Sequence, residues 1–94
     1  MALVNSSIIT ASGDVVGTEL AGGLALLDLR TGSYFNLNQT GAYVWSQIEG
    51  SAKTLGDILT AMTGAYDASP EVLERDLQTL LTQLSEQGLI AVSA

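Results

Sequence analysis

The chain contains no cysteine and no histidine. The first absence removes disulfides, thiol nucleophiles and thiolate metal sites together. The second removes imidazole ligands, proton shuttles and any triad built on a histidine base. Basic side chains are scarce as well, with Arg30, Lys53 and Arg75 the only three. An enzyme would have to rest on carboxylates, hydroxyls and these three cations, which is a thin catalytic inventory, so no catalytic residue is assigned. Ten acids against three bases give a net charge of −7. That balance argues against nucleic acid, where a basic stripe supplies most of the affinity, and against an anionic membrane surface. It keeps an otherwise hydrophobic domain soluble and would steer a neutral or basic peptide towards it. No run approaches the length that spans a bilayer. The opening MALVNSSIITASG has no basic n-region and reads as an extended or frayed tail over residues 1–13 rather than a signal peptide. The simplest compartment is the cytoplasm.

What is present fits one domain over residues 1–94, with a hydrophobic fraction of 47% that excludes wholesale disorder. The first half is β-like. DVVGTEL (14–20) is rich in β-branched residues, and AGG (21–23) signals a turn. LALLDL (24–29) is a nearly continuous apolar strand, RTGS (30–33) brings a glycine for the positive φ of a short hairpin loop, and YFNL (34–37) closes a meander. Consecutive strands of a meander pair in order, so the first and third are edges. At Asn38 the period turns helical. Asn38 can cap a helix over 39–49 that carries Ala42, Trp45 and Ile48 on one face, with Gly50 as its stop. Thr54 and Asp57 resemble a capping box opening a helix with Leu55, Ile58, Leu59, Met62 and Tyr66 in one stripe. Ser69 followed by Pro70 starts a third helix, with Leu73, Leu77, Leu80, Leu81 and Leu84 inward and Gly88 as its C-terminal cap; LIAV (89–92) can then pack back as an extended segment. The predicted fold is α+β and winged helix-turn-helix-like: a three-stranded antiparallel N-terminal sheet followed by three α-helices. A winged-helix transcription regulator is one reading of that order, but the last helix has one arginine against Glu71, Glu74, Asp76 and Glu86, which fails the electrostatics of DNA binding.

The third strand, Tyr34-Phe35-Asn36-Leu37, carries no charge, proline or glycine. Natural edge strands are usually blunted by such residues or by a cover. Either the N-terminal tail or a second copy covers this edge, or the edge accepts an extended peptide as an added strand. Asp76 near the start of the third helix is either a solvated acid favoured by the helix dipole or a contact for a polar or basic group on that peptide. Trp45 reads as core rather than as a stacking platform, Tyr66 as core with a wet hydroxyl, and Tyr43 has no place in the pattern. Asp28 with Gly32 is a fragment of a metal loop without its further acids, and the scattered glycines form no phosphate-binding pattern, so neither a metal nor a cofactor is expected.

The ordered string LALLDLRTGSYFNLNQTGAYVWSQIEG, with ERDLQTLLTQL and GLI downstream, resembles the PqqD-like family over about residues 14–92. The resemblance implies a non-catalytic recognition element for a ribosomally synthesised precursor peptide. In that family the leader segment adds as a strand beside the third β-strand and lies along the third helix. Carried onto this sequence, it places Tyr34, Phe35, Asn36 and Leu37 on the pairing strand and Asp76, Leu77 and Leu80 on the groove side of the helix. Within the family the chain looks most like the free-standing leader-binding proteins of lasso-peptide biosynthesis, which implies a leader peptidase and a macrolactam-forming cyclase as partners. A chaperone of another peptide-modifying pathway, such as pyrroloquinoline quinone biosynthesis, is the alternative. A monomer or a weak homodimer is expected, because an open edge can pair with a copy of itself.

Overall fold

Asn38 divides the chain. Before it lie strands, and after it the apolar spacing is helical. The computed structural model describes residues 3–93. β1 (Ile8–Ala11), β2 (Val15–Leu20), β3 (Gly23–Asp28) and β4 (Tyr34–Asn38) are followed by α1 (Gln39–Ile48), the two-residue β5 (Lys53–Thr54), α2 (Leu55–Ala65), α3 (Pro70–Glu86) and β6 (Ile90–Ser93). The expected meander is present as an antiparallel sheet in the order β2-β3-β4. Its tight turns sit on glycines in the left-handed region, Gly22 at φ 80° and Gly32 at φ 74°.

The residues expected as a tail are in part a strand. β1 lies at the centre of a second sheet, β5-β1-β6, with Ile8 opposite Ser93 and Ala11 opposite Ile90. The two ends of the chain are thereby tied to each other. Ile9 turns inward and is fully buried. The first two residues of the predicted tail lie outside the described residues.

Each helix starts where its cap chemistry directs. The Asn38 side chain accepts from Gly41 N–H at 2.9 Å. Thr54 Oγ1 accepts from Asp57 N–H at 3.1 Å while the Asp57 carboxylate accepts from Thr54 N–H at 3.3 Å, a closed capping box. Ser69 Oγ accepts from Val72 N–H, and Pro70 fills the first helical position without wasting a donor. At the far end of α3, Leu89 N–H reaches Leu84 O and Gly88 N–H reaches Ser85 O. With Gly88 at φ 74° this is a Schellman stop.

One core joins both sheets to the helices: Val44, Trp45 and Ile48 from α1, Leu55, Ile58 and Met62 from α2, Leu73, Leu77, Leu81 and Leu84 from α3, with Ile9, Leu26, Leu37 and Ile90 from the strands. Trp45 is buried and its indole N–H donates to Glu49 Oε2 at 3.1 Å. Tyr43, which the sequence pattern left without a place, meets Tyr66 edge-to-face at 5.6 Å and donates its hydroxyl to Ala61 O. A side chain on Gly23 would collide with the carbonyl of Leu37, so the close approach of β3 to the end of β4 requires glycine there.

The hairpin between β3 and β4 is clipped to α3 by a charged cluster. Asp28 is buried, and its carboxylate accepts from the Arg30 backbone N–H (3.0 Å), from Arg30 Nε (3.1 Å) and from Arg30 Nη2 (3.1 Å). The same Nη2 donates to Gly88 O at 2.7 Å, 58 residues further along. These hydrogen bonds from Arg30 hold the Asp28 carboxyl below its ordinary pKa and raise that of the guanidinium. A carboxyl with a lowered native pKa stabilises the fold above its unfolded value, and the stabilisation is lost as pH falls through the native one. The urea midpoint of the wild type should therefore decline from about pH 4 downwards. Asp28→Asn should be less stable at pH 7 and show a flatter acid limb; an acid limb as steep as the wild type's would remove Asp28 as its source.

Candidate functional site

The sheet β2-β3-β4 has two free edges, and they differ in chemistry. Hydrogen bonding from Asp28 N–H to Ser33 O (2.9 Å) sets the phase of the β3-β4 ladder. With Leu26 opposite Phe35 and Leu24 opposite Leu37, the backbone groups of Phe35 and Leu37 face β3. Those of Tyr34 and Asn36 face away from the sheet. β4 pairs with β3 and with no other described strand. The N-terminal cover considered from the sequence is not there, because β1 pairs with β5 and β6 instead.

The four strand residues thus divide by parity. Phe35 is half-buried and Leu37 is 6% exposed, both packed on the core. Tyr34 is 71% exposed and Asn36 is also exposed, on the outer face of the sheet. On β2 the inner-face position opposite Leu24 is Glu19. An inward-pointing charge discourages pairing at an edge. β4 has no such residue, so the sheet is guarded on one edge and open on the other.

Two hollows lie between α3 and the segment that runs from β4 into α1. One, of about 310 Å³, is lined by Asn38, Gly41 and Val44 on one side and by Asp76, Leu77, Leu80 and Gln83 on the other. The second, of about 110 Å³, lies at the start of β4 between Tyr34 and Phe35 and the end of α3, at Gln87 and Leu89. The structure brings Asp76, Leu77 and Leu80 to one wall, as the sequence suggested, but in different positions. Leu77 is 1% exposed and belongs to the core beneath the groove. Leu80 is half-buried at its surface, and Asp76 is exposed at the rim, where its 4.0 Å contact with Arg75 is solvated at both ends and worth little. Asn38, Gly41, Val44, Gln83 and Leu89 were not foreseen. The cap at Asn38 marked a helix start in the sequence, and nothing local marked that start as a groove wall.

An antiparallel three-stranded sheet with one unguarded edge, with a hollow at each end of that strand, has the geometry that strand-addition modules use. The family model for coenzyme PQQ synthesis protein D (PqqD) matches residues 23–90. Among solved structures, TbiB1 in complex with the TbiA(beta) leader peptide is 32% identical, with a TM-score of 0.80 over 90% of this chain and 98% of that one. A lasso peptide synthetase B1 complexed with its leader peptide is 27% identical, with a TM-score of 0.74 over 88% of this chain and 96% of that one. No curated protein matches the sequence. The chain belongs to the PqqD family, and its winged α+β fold is that of the leader-bound proteins it resembles.

The difference between floor and rim is measurable. Leu77→Ala should cost about 2–5 kcal/mol in chemical denaturation, as for a fully buried leucine. Leu80→Ala should cost about 1 kcal/mol or less, since its side chain is only half removed from water. Equal costs would place Leu80 in the core and take it off the groove surface.

Proposed function

We propose that this chain binds the leader segment of a ribosomally synthesised precursor peptide by adding it as a strand along β4. Its role is non-catalytic: it delivers the bound leader to the maturation enzymes of a lasso-peptide pathway, a leader peptidase and a macrolactam-forming cyclase. The observation that carries the reading is the open β4 edge beside the α3 groove, in a fold matched at 32% identity by a protein solved with its leader peptide. The outward backbone groups of Tyr34 and Asn36 would supply the ladder. That ladder gives affinity with little demand on leader sequence, while the hollows at its two ends would select alternate leader side chains. Phe35 and Leu37 would act from below by holding the strand flat, and Asp76 would meet a polar or basic leader group at the rim. A leader that is disordered when free gives up several kcal/mol of the gross interaction on ordering, which fits a carrier that must later release it.

Backbone parity supplies the test. Asn36→Pro removes an outward N–H and leaves the β3 ladder intact, a position where edge strands tolerate proline. Phe35→Pro removes an inward N–H and breaks that ladder. By fluorescence anisotropy with a labelled leader peptide that the wild type binds, Asn36→Pro should weaken binding about tenfold or more, with circular dichroism unchanged. Phe35→Pro should lower thermal stability. In hydrogen exchange, the Tyr34 and Asn36 amides should be fast in the free protein and protected by leader. A folded Asn36→Pro protein that binds leader as tightly as wild type would rule out strand addition at β4.

A further inference from the structure

A further cavity is larger than the groove lined by Asn38 and Asp76. It holds about 410 Å³ and lies at the opposite side of the sheet, between the β2-β3 hairpin and α1. Its space is made by small residues: Gly17 on the inner face of β2, Gly22 and Gly23 at the turn, and Ala42 on α1. A Cβ on Gly17 would meet Leu24 Cδ1 at 3.4 Å, an ordinary contact, so packing does not demand glycine at that position. Leu20, Leu24 and Trp45 give the cavity apolar surface, and Leu20 is 52% exposed.

Two exposed carboxylates, Glu19 and Glu49, also line this mixed polar and apolar space, and no cation among the described residues pairs with either. Glu49 is also the C-cap of α1, whose last turn holds no basic residue. A negative charge at the negative end of a helix is locally unfavourable, and a cation there would be favoured. Glu19, on the facing strand, reinforces the same field. The cavity therefore combines an apolar wall with an uncompensated negative potential, the complement of a long cationic side chain that buries its methylenes and pairs its head.

We infer that the cavity between the β2-β3 hairpin and α1 is a docking site for a protein segment carrying an arginine or lysine next to an apolar residue. The methylene stem lies along Leu20, Leu24 and Trp45, and the cationic head sits between Glu19 and Glu49. α1 separates this cavity from the groove beside β4: Gly41 and Val44 face one, and Ala42, Trp45 and Glu49 face the other. Both can be filled at once, and the docking stands independently of what binds at β4.

The probe is the peptide acetyl-Leu-Arg-Leu-amide, with its citrulline counterpart as the neutral control, titrated into ¹⁵N-labelled full-length protein. The expected result is saturable shifts at Gly17, Gly22, Gly23, the Trp45 indole N–H and Glu49, with the citrulline peptide much weaker. The double variant Glu19→Gln/Glu49→Gln keeps an acceptor for Trp45 and should weaken the arginine peptide about three- to tenfold. Gly17→Leu fills the cavity and should abolish the shifts while the rest of the spectrum stays folded. The inference is overturned by equal shifts from both peptides, by shifts that fail to saturate, or by shifts gathered on Glu71, Glu74 and Asp76 of α3. It is equally overturned by a folded Gly17→Leu protein that still binds.

Discussion

Arg30 joins parts of the chain that sequence places far apart. Its guanidinium takes both oxygens of the buried Asp28 and the carbonyl of Gly88, so the β3-β4 hairpin is anchored to the point where α3 stops. The anchor borders the hollow at the start of β4, which lies between Tyr34 and Phe35 and the end of α3. A hairpin free to swing would turn the start of β4 away from the end of α3, and that hollow would lose one wall. The anchor is built from charge, yet it is compatible with burial because each Asp28 oxygen has a charge-assisted partner. Gly88 serves it twice, by ending α3 in the left-handed conformation and by presenting its carbonyl to Arg30.

The sheet held in this way is asymmetric. β2 carries Glu19 on its inner face, which both discourages pairing at that edge and leaves a negatively charged cavity against α1. β4 carries no charge and packs Phe35 and Leu37 on the core, and its outer edge pairs with no other described strand. Such packing is useful to strand addition, since an edge ordered in advance has less entropy to lose on binding. The two relatives solved with leader peptides share this fold over nearly their whole length.

Local signals in the sequence encode much of this. The meander, three helix starts and the stop at Gly88 are visible because caps and turns are chosen by residues within about four positions of where they act. The bare strand Tyr34–Leu37 was equally visible, because edge protection is a matter of composition. The β5-β1-β6 sheet was not: it pairs Ile8 with Ser93, and neither segment alternates cleanly enough to announce a partner at the far end of the chain. Its outcome moved β1 out of the tail and removed it as a cover for β4.

The sequence by itself determined the meander, the three helices, their order, the acidic balance and the absence of any guard on β4, since each follows from residue type and short-range spacing. Tertiary structure alone decided which backbone groups of that strand are free. A one-residue change of register would exchange the roles of Tyr34 and Asn36 with those of Phe35 and Leu37. It also decided that Leu77 lies in the core while Leu80 and Asp76 reach the groove, because the rotation of α3 is fixed by what packs against it. Periodicity tells which residues share a face, and only the neighbours tell which way that face is turned.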